Sequence, residues 1–376
     1  MANFTKISFK KGELNKQLAD LFKGMMEKGV VDALLSPMTQ PKRGVMQTLI
    51  THPAHVERID PFAPVVPVNG AKIASSITAT PSGRKVAMVL RSCETRALIE
   101  LGKLNLAEFD DVLLIGIDCL GRYENLDFLN LRAQGESSES FLEKALSGDT
   151  KRNDIDICGA CKICEFPVAD TVDLRLCVIG AGADALYVES LTPKGDKVLE
   201  TAGLSFGEAP GSRDAAVKQL VAARTKARDA EFAGYRESTG SFDALEDRLA
   251  ACINCYNCRV ACPVCYCKEC VFVTDTFRHK ADQYMGWADT FGTLKMPTDT
   301  MFYHLTRMSH MSLFCVGCGQ CTSACPNSID LMPAFRTAAQ KTQARFGYQA
   351  GRSHDEKQPL TVFENDELVE VTGQVK

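Results

Sequence analysis

Cysteine carries the most chemistry in this sequence, and the cysteines fall into runs of regular spacing. Two runs have one form: Cys252-x2-Cys255-x2-Cys258-x3-Cys262-Pro263 and Cys315-x2-Cys318-x2-Cys321-x3-Cys325-Pro326. In a paired arrangement of this kind, the first three thiolates grip one 4Fe–4S cubane and the fourth reaches across to the other. Cys252, Cys255, Cys258 and Cys325 are therefore expected at one cluster, and Cys315, Cys318, Cys321 and Cys262 at the other. Tetrahedral zinc also takes thiolates, but it has no use for two copies of one run, each closed by proline.

A third run, Cys158-x2-Cys161-x2-Cys164, has cubane spacing but lacks its own fourth cysteine. Cys119 is the expected fourth ligand, because it follows an apolar strand and open α/β sheets place their sites at such strand ends. The competing reading gives Cys158, Cys161 and Cys164 a zinc ion, or nothing. Cys265, Cys267 and Cys270 could be three ligands of a further cluster or spare thiols beside the first two; the spacing leaves both open. Cys177, inside an apolar strand, is expected to be a buried thiol.

Arg91-Ser92-Cys93-Glu94-Thr95-Arg96 stands where a strand turns into a helix. Free N–H groups there favour an anion, and Arg91 and Arg96 could add charge, so a cofactor phosphate is the expectation. The alternative is a plain helix cap with surface arginines. His304, Arg307 and His310 lie on one expected helix, 302–311, and could donate to a cluster and raise its potential; a solvated helix face reads equally well. Gly180-Ala181-Gly182-Ala183-Asp184-Ala185 matches a dinucleotide fingerprint in form, but a strand follows where a helix is needed. A hairpin turn is expected instead.

These residues need a scaffold. Lys85–Leu90 reads as a buried strand, Glu94–Leu104 as a helix and Asp111–Ile117 as a second strand, the size of a parallel crossover. Further strands are expected at 174–179 and 185–188, and helices at 214–232 and 242–251. The stretch Glu237–Ser241 reads as a linker. Beyond about 351 the chain is polar, with disorder or a docking arm expected.

At 376 residues and 45% hydrophobic content the chain can bury a sizeable core. A net charge of −4 gives no case for nucleic-acid binding. The start Met1–Lys6 lacks an apolar h-region, so no secretory leader is expected, and there is no run of about 18 apolar residues that could span a bilayer. Seventeen cysteines, an odd number, in tight clusters favour metal ligation in the reducing cytoplasm over disulfides.

Arg91–Leu101 and Ile115–Gly121, together with Cys161-Lys162-Ile163-Cys164-Glu165-Phe166-Pro167 and Cys262-Pro263-Val264-Cys265-Tyr266-Cys267-Lys268-Glu269-Cys270, resemble the beta subunits of deazaflavin-dependent hydrogenases and formate dehydrogenases. The likeness covers residues 80–335 and is greatest to the formate dehydrogenase type. It departs at Ser92, where much of that family has proline. The resemblance implies an α/β N-terminal flavin-binding domain (1–240), a C-terminal α+β dicluster ferredoxin-like domain (241–350) and a polar tail (351–376). It also implies FAD, with Arg91, Ser92, Cys93 and Arg96 as its contacts. The implied partners are a soluble two-electron carrier such as coenzyme F-420 and a formate dehydrogenase alpha, hydrogenase or heterodisulfide reductase type subunit. A flavin takes two electrons and releases them singly, and cubanes carry them one at a time. Two readings stand beside this one: a non-catalytic iron–sulfur adaptor, and an electron-transfer subunit of the sulfite reductase A-type or sulfhydrogenase beta type.

Overall fold

The computed structural model describes residues 3–182 and 184–362. Ala183 of the glycine-rich turn and residues 363–376 of the expected tail lie outside the described residues. The chain opens with β1 (Asn3–Ser8), α1 (Leu14–Glu27), β2 (Ala33–Thr39) and β3 (Val45–Ile50). Then come α2 (Gly70–Thr78), β4 (Val86–Arg91), α3 (Ser92–Lys103) and β5 (Val112–Ile117). Helices α4 (Asn125–Ala133), α5 (Ser138–Leu146) and the short α6 (Gly159–Lys162) lead to β6 (Leu174–Cys177) and β7 (Ala185–Ser190). After α7 (Pro193–Thr201), the long α8 (Arg213–Ser238) runs through the start of the expected linker.

All seven strands form one sheet in the order β1-β7-β6-β5-β4-β2-β3. β2, β4, β5 and β6 are parallel, and β3 and the β7–β1 pair close the edges antiparallel. β4 and β5 are buried at every position, as apolar strands covered on both faces must be. α1 lays Leu14, Leu18, Ala19, Phe22 and Met25 on one face of the sheet, the spacing of a helix with one apolar stripe. Gly180 and Gly182 have φ of +75° and +89°, and the segment turns β6 back into antiparallel β7. This is the expected hairpin.

The cysteine-rich part is built of short helices: α9 (Phe242–Leu249), α10 (Asn257–Ala261), α11 (Ala281–Phe291), α12 (Thr300–Met311), α13 (Gln320–Ser323) and α14 (Met332–Arg345). It covers the second sheet face. One hydrophobic core joins Leu35, Met88, Leu90 and Leu98 to Tyr303, Phe314 and Phe335, so packing is continuous across residue 240. The first part of the expected tail is packed as well: Gly351 N–H and Gln358 Nε2 donate to buried Glu100 on α3, at 2.7 and 3.1 Å. Polar composition there serves a buried carboxylate. No helix of the described residues is long and apolar enough to cross a membrane.

Candidate iron–sulfur centres

Three cavities are walled by cysteines. The outermost is lined by Cys252, Cys255, Cys258 and Cys325 with Tyr303 and His304. A central one is lined by Cys262, Cys315, Cys318 and Cys321 with Arg307 and Phe335. Each thus takes three thiols from one run and the fourth from the other. The crossing has a local cause: α10 ends at Ala261, one residue before Cys262, and packs against α13, which carries Cys321. Each run's last cysteine is thereby delivered to its neighbour's cavity.

The third cavity lies at the carboxyl ends of β4 and β5. It is lined by Cys93, Cys119, Cys161 and Cys164, and Cys318 of the central set forms part of its wall. Cys158 does not line it. The Cys158 thiol turns to Glu124, donating to Oε1 at 3.0 Å. Cys93 lines it from the start of α3, directly off the end of β4. Cys177 is fully buried. Cys265, Cys267 and Cys270 are partly exposed and line none of the three cavities.

The expected phosphate turn is already filled by protein. Glu94 accepts from Arg91 N–H at 2.8 Å through Oε2 and from Gly70 N–H at 2.8 Å through Oε1. The Arg91 side chain donates to Ala63 O and pairs with Glu94 at 3.6 Å. Arg96 donates to Ala350 O at 2.9 Å and Val316 O at 3.3 Å. Ser92 is buried against the third cavity. The Arg91 and Arg96 side chains expected at a cofactor phosphate are thus already bonded to protein groups, while Arg91, Ser92 and Cys93 line the third cavity.

The cavities do fit anionic centres. Arg307 donates to Cys258 Sγ at 3.0 Å, while His304 Nε2 and Tyr303 Oη each stand 3.3 Å from a ligand-candidate sulfur, Cys252 and Cys258 respectively. His310, on the exposed face of α12, reaches none of them. Arg224 donates to the carbonyls of Cys119, Cys164 and Leu120. Arg96, Arg224 and Arg307 are buried, and none has a carboxylate partner among the described residues. A buried cation without a counter-charge is costly, so a negative occupant of these cavities would complete the pairing. Asn69 adds a donor: its Oδ1 caps α2, and its buried Nδ2, in the wall of the third cavity, has no partner.

The thiols themselves agree. Burial pushes Cys161 and Cys318 up to about 11 and Cys262 to about 12, so bare thiolates are disfavoured and metal ligation would hold them ionised. His304 is pushed down to about 4, by burial first and then by Arg307 and Lys295, so it faces Cys252 as neutral imidazole. No His, Cys, Asp or Glu triple among the described residues closes onto a single-ion site. The thiols line the three cavities described above. Arg224 and Asn69, Arg122 in the wall of the third cavity, and the Arg336–Glu165 pair beside Cys164 were not evident from motifs. Only Glu165, adjoining Cys164, and Arg122, near Cys119, carried a positional hint.

No family profile matches the chain. It is 25% identical over 372 residues to the F420-dependent formate dehydrogenase subunit beta of Methanocaldococcus jannaschii, covering 91% of this chain and 93% of that one. It is also 25% identical over 375 residues to F420-dependent formate dehydrogenase 1 subunit beta of Methanococcus maripaludis, covering 91% and 92%. A chain from a xenon-derivatised F420-reducing [NiFe] hydrogenase complex of Methanosarcina barkeri aligns over 65% of this chain and 94% of its own, at 12% identity and a TM-score of 0.44.

Proposed function

We propose that this relative of the F420-dependent formate dehydrogenase beta subunits is an iron–sulfur electron-transfer subunit of a multi-subunit oxidoreductase. The observation that carries the reading is the set of three cysteine-walled cavities, each with four candidate thiols and buried cations beside it. Cys252, Cys255, Cys258 and Cys325 would hold the outer 4Fe–4S centre, and Cys262, Cys315, Cys318 and Cys321 the central one. Cys93, Cys119, Cys161 and Cys164 would hold the third, with Cys158 left as a hydrogen-bonded thiol. Bound in these cavities, such centres supply one-electron transfer.

The chain's own part is to bring the sites together and exclude water. Gly317 and Cys318 wall both the third and the central cavities, which leaves little protein between them. Cys255 is exposed, so the outer cavity is the natural exit to a partner subunit. The two-electron end of the path is not assigned to residues, because those first expected at FAD are engaged elsewhere.

Protein purified without oxygen should contain roughly twelve irons and as many acid-labile sulfides per chain. About eight would remove the third centre, and zinc in place of iron would remove the whole reading. Flavin assayed in the same sample separates a catalytic subunit that meets the two-electron carrier from an adaptor that only joins two complexes. The filled turn at Glu94 favours looking for flavin elsewhere on the chain, or on a partner.

A further inference from the structure

Two guanidiniums stand in the partition between the third and central cavities. Arg96, from α3, lies flat over the Phe166 ring at 3.7 Å and donates to Val316 O in the loop that carries Cys315 and Cys318. Arg336, from α14, donates through Nη2 to both oxygens of Glu165, at 2.7 and 2.9 Å. Its buried Nη1 has no partner and lies against Gly317, where any Cβ would fall on the guanidinium. Gly317 has φ of +73° and walls both cavities, so glycine is what lets the charge approach the shared wall.

The charges in this partition do not cancel. Glu165 directly follows Cys164 and is also bonded by Arg228 at 2.9 Å. Arg228 is also paired with Asp229 at 2.7 Å, so against these two carboxylates stand Arg336, Arg228 and the carboxylate-free Arg96. In a buried, weakly screened setting a fixed positive charge acts strongly on neighbours within a few ångströms. Adding an electron makes a redox centre more negative, so a cation beside it favours the reduced form and raises its potential.

We propose that Arg336, oriented by Glu165, is a positioning residue that raises and links the potentials of the two redox centres on either side of this partition. It rests on the iron–sulfur reading above. Arg336, Arg96 and Glu165 line none of the three cavities themselves, but Gly317, against which Arg336 lies, walls the third and central cavities and not the outer one, whose centre serves as an internal reference. A salt bridge that merely clamps α14 to the Cys164 loop predicts something different: firmness without any effect on potential.

The test uses the full chain, purified anaerobically, with iron and sulfide counted before redox titration followed by paramagnetic resonance. Arg336→Gln should shift the midpoints of the central and third centres downward while the outer midpoint stays in place. Glu165→Gln, which removes the opposing charge, should shift the same two upward. Arg336→Lys, which keeps the charge, should return both toward the parent values. Unmoved midpoints, equal shifts at all three centres, or a shift at one inner centre alone would each overturn the proposal. Should Arg336→Gln lose its centres, Glu165→Gln and Arg96→Gln carry the test with opposite expected signs. Iron absent from the parent protein sinks the cluster reading first, an outcome distinct from iron present with unmoved potentials.

Discussion

A thiol can serve a metal centre only if its sulfur faces the void that the centre would fill, and Cys93 and Cys158 differ in this. Cys93 lines the third cavity, while the Cys158 thiol is bonded to Glu124. Cys93→Ser is therefore expected to lower iron by roughly four per chain, and Cys158→Ser to leave iron unchanged; the reverse pattern would restore Cys158 as the ligand. Asp60 offers a second test at this scale. It is 1% exposed and accepts from Ser138 Oγ at 2.7 Å and Asn15 Nδ2 at 3.1 Å, with Arg132 at 3.5 Å. Burial nonetheless raises its pKa, outweighing those partners. The native state then holds this proton to higher pH than the unfolded state. Asp60 thus takes stability away as pH climbs from about 4 through its folded pKa. Urea unfolding across that range should show Asp60→Asn gaining more stability, or losing less, than the parent as pH rises, and an identical slope would refute the assignment.

At the scale of elements, the short helices α10 and α13 decide which sulfur goes where. Cys262 follows α10 and lines the central cavity; Cys325 follows α13 and lines the outer one. Cys262→Ala should therefore abolish the resonance signal of the centre held by Cys315, Cys318 and Cys321. Cys325→Ala should abolish that of the centre held by Cys252, Cys255 and Cys258. Loss of each run's own centre instead would mean the ligands do not cross. α12 supports both, presenting Tyr303, His304 and Arg307 to the sulfurs from successive turns of one face, the neighbour relation that i, i+3 and i, i+4 positions create.

Across the whole molecule, the sheet and the cysteine-rich part share one core. Residues from β4 and α3 pack with Tyr303, Phe314 and Phe335, and Arg96 bonds Val316 and Ala350 across the same seam. Opening that seam would expose apolar surface and strand buried arginines, each costly. Urea denaturation of the intact chain is thus expected to be one transition, coincident by far- and near-ultraviolet circular dichroism. Two separated transitions would mean that the parts fold independently, with a boundary near residue 240.

Local pattern was enough for some of this. The two four-cysteine runs, the buried strands β4 and β5, helix α3 and the β6–β7 hairpin depend on neighbours within a few positions, where spacing alone sets which side chains share a face. β1 escapes such a reading because its partner strand, β7, lies far along the chain; β2 and β3 also carried no local signal, although β3 closes the edge against its sequence neighbour β2, which sits inside the sheet beside β4. The same physics explains the third site. The cysteines that line it come from the start of α3, the loop after β5 and the α6 turn, and no spacing rule ranks Cys93 above Cys158 until parallel β4 and β5 bring their ends side by side. Arg224 and Arg336 were hidden for a like reason. A guanidinium's role as counter-charge depends on the burial and the sulfurs around it, and folding alone brings Arg336, from the last helix, to the Glu165 beside Cys164.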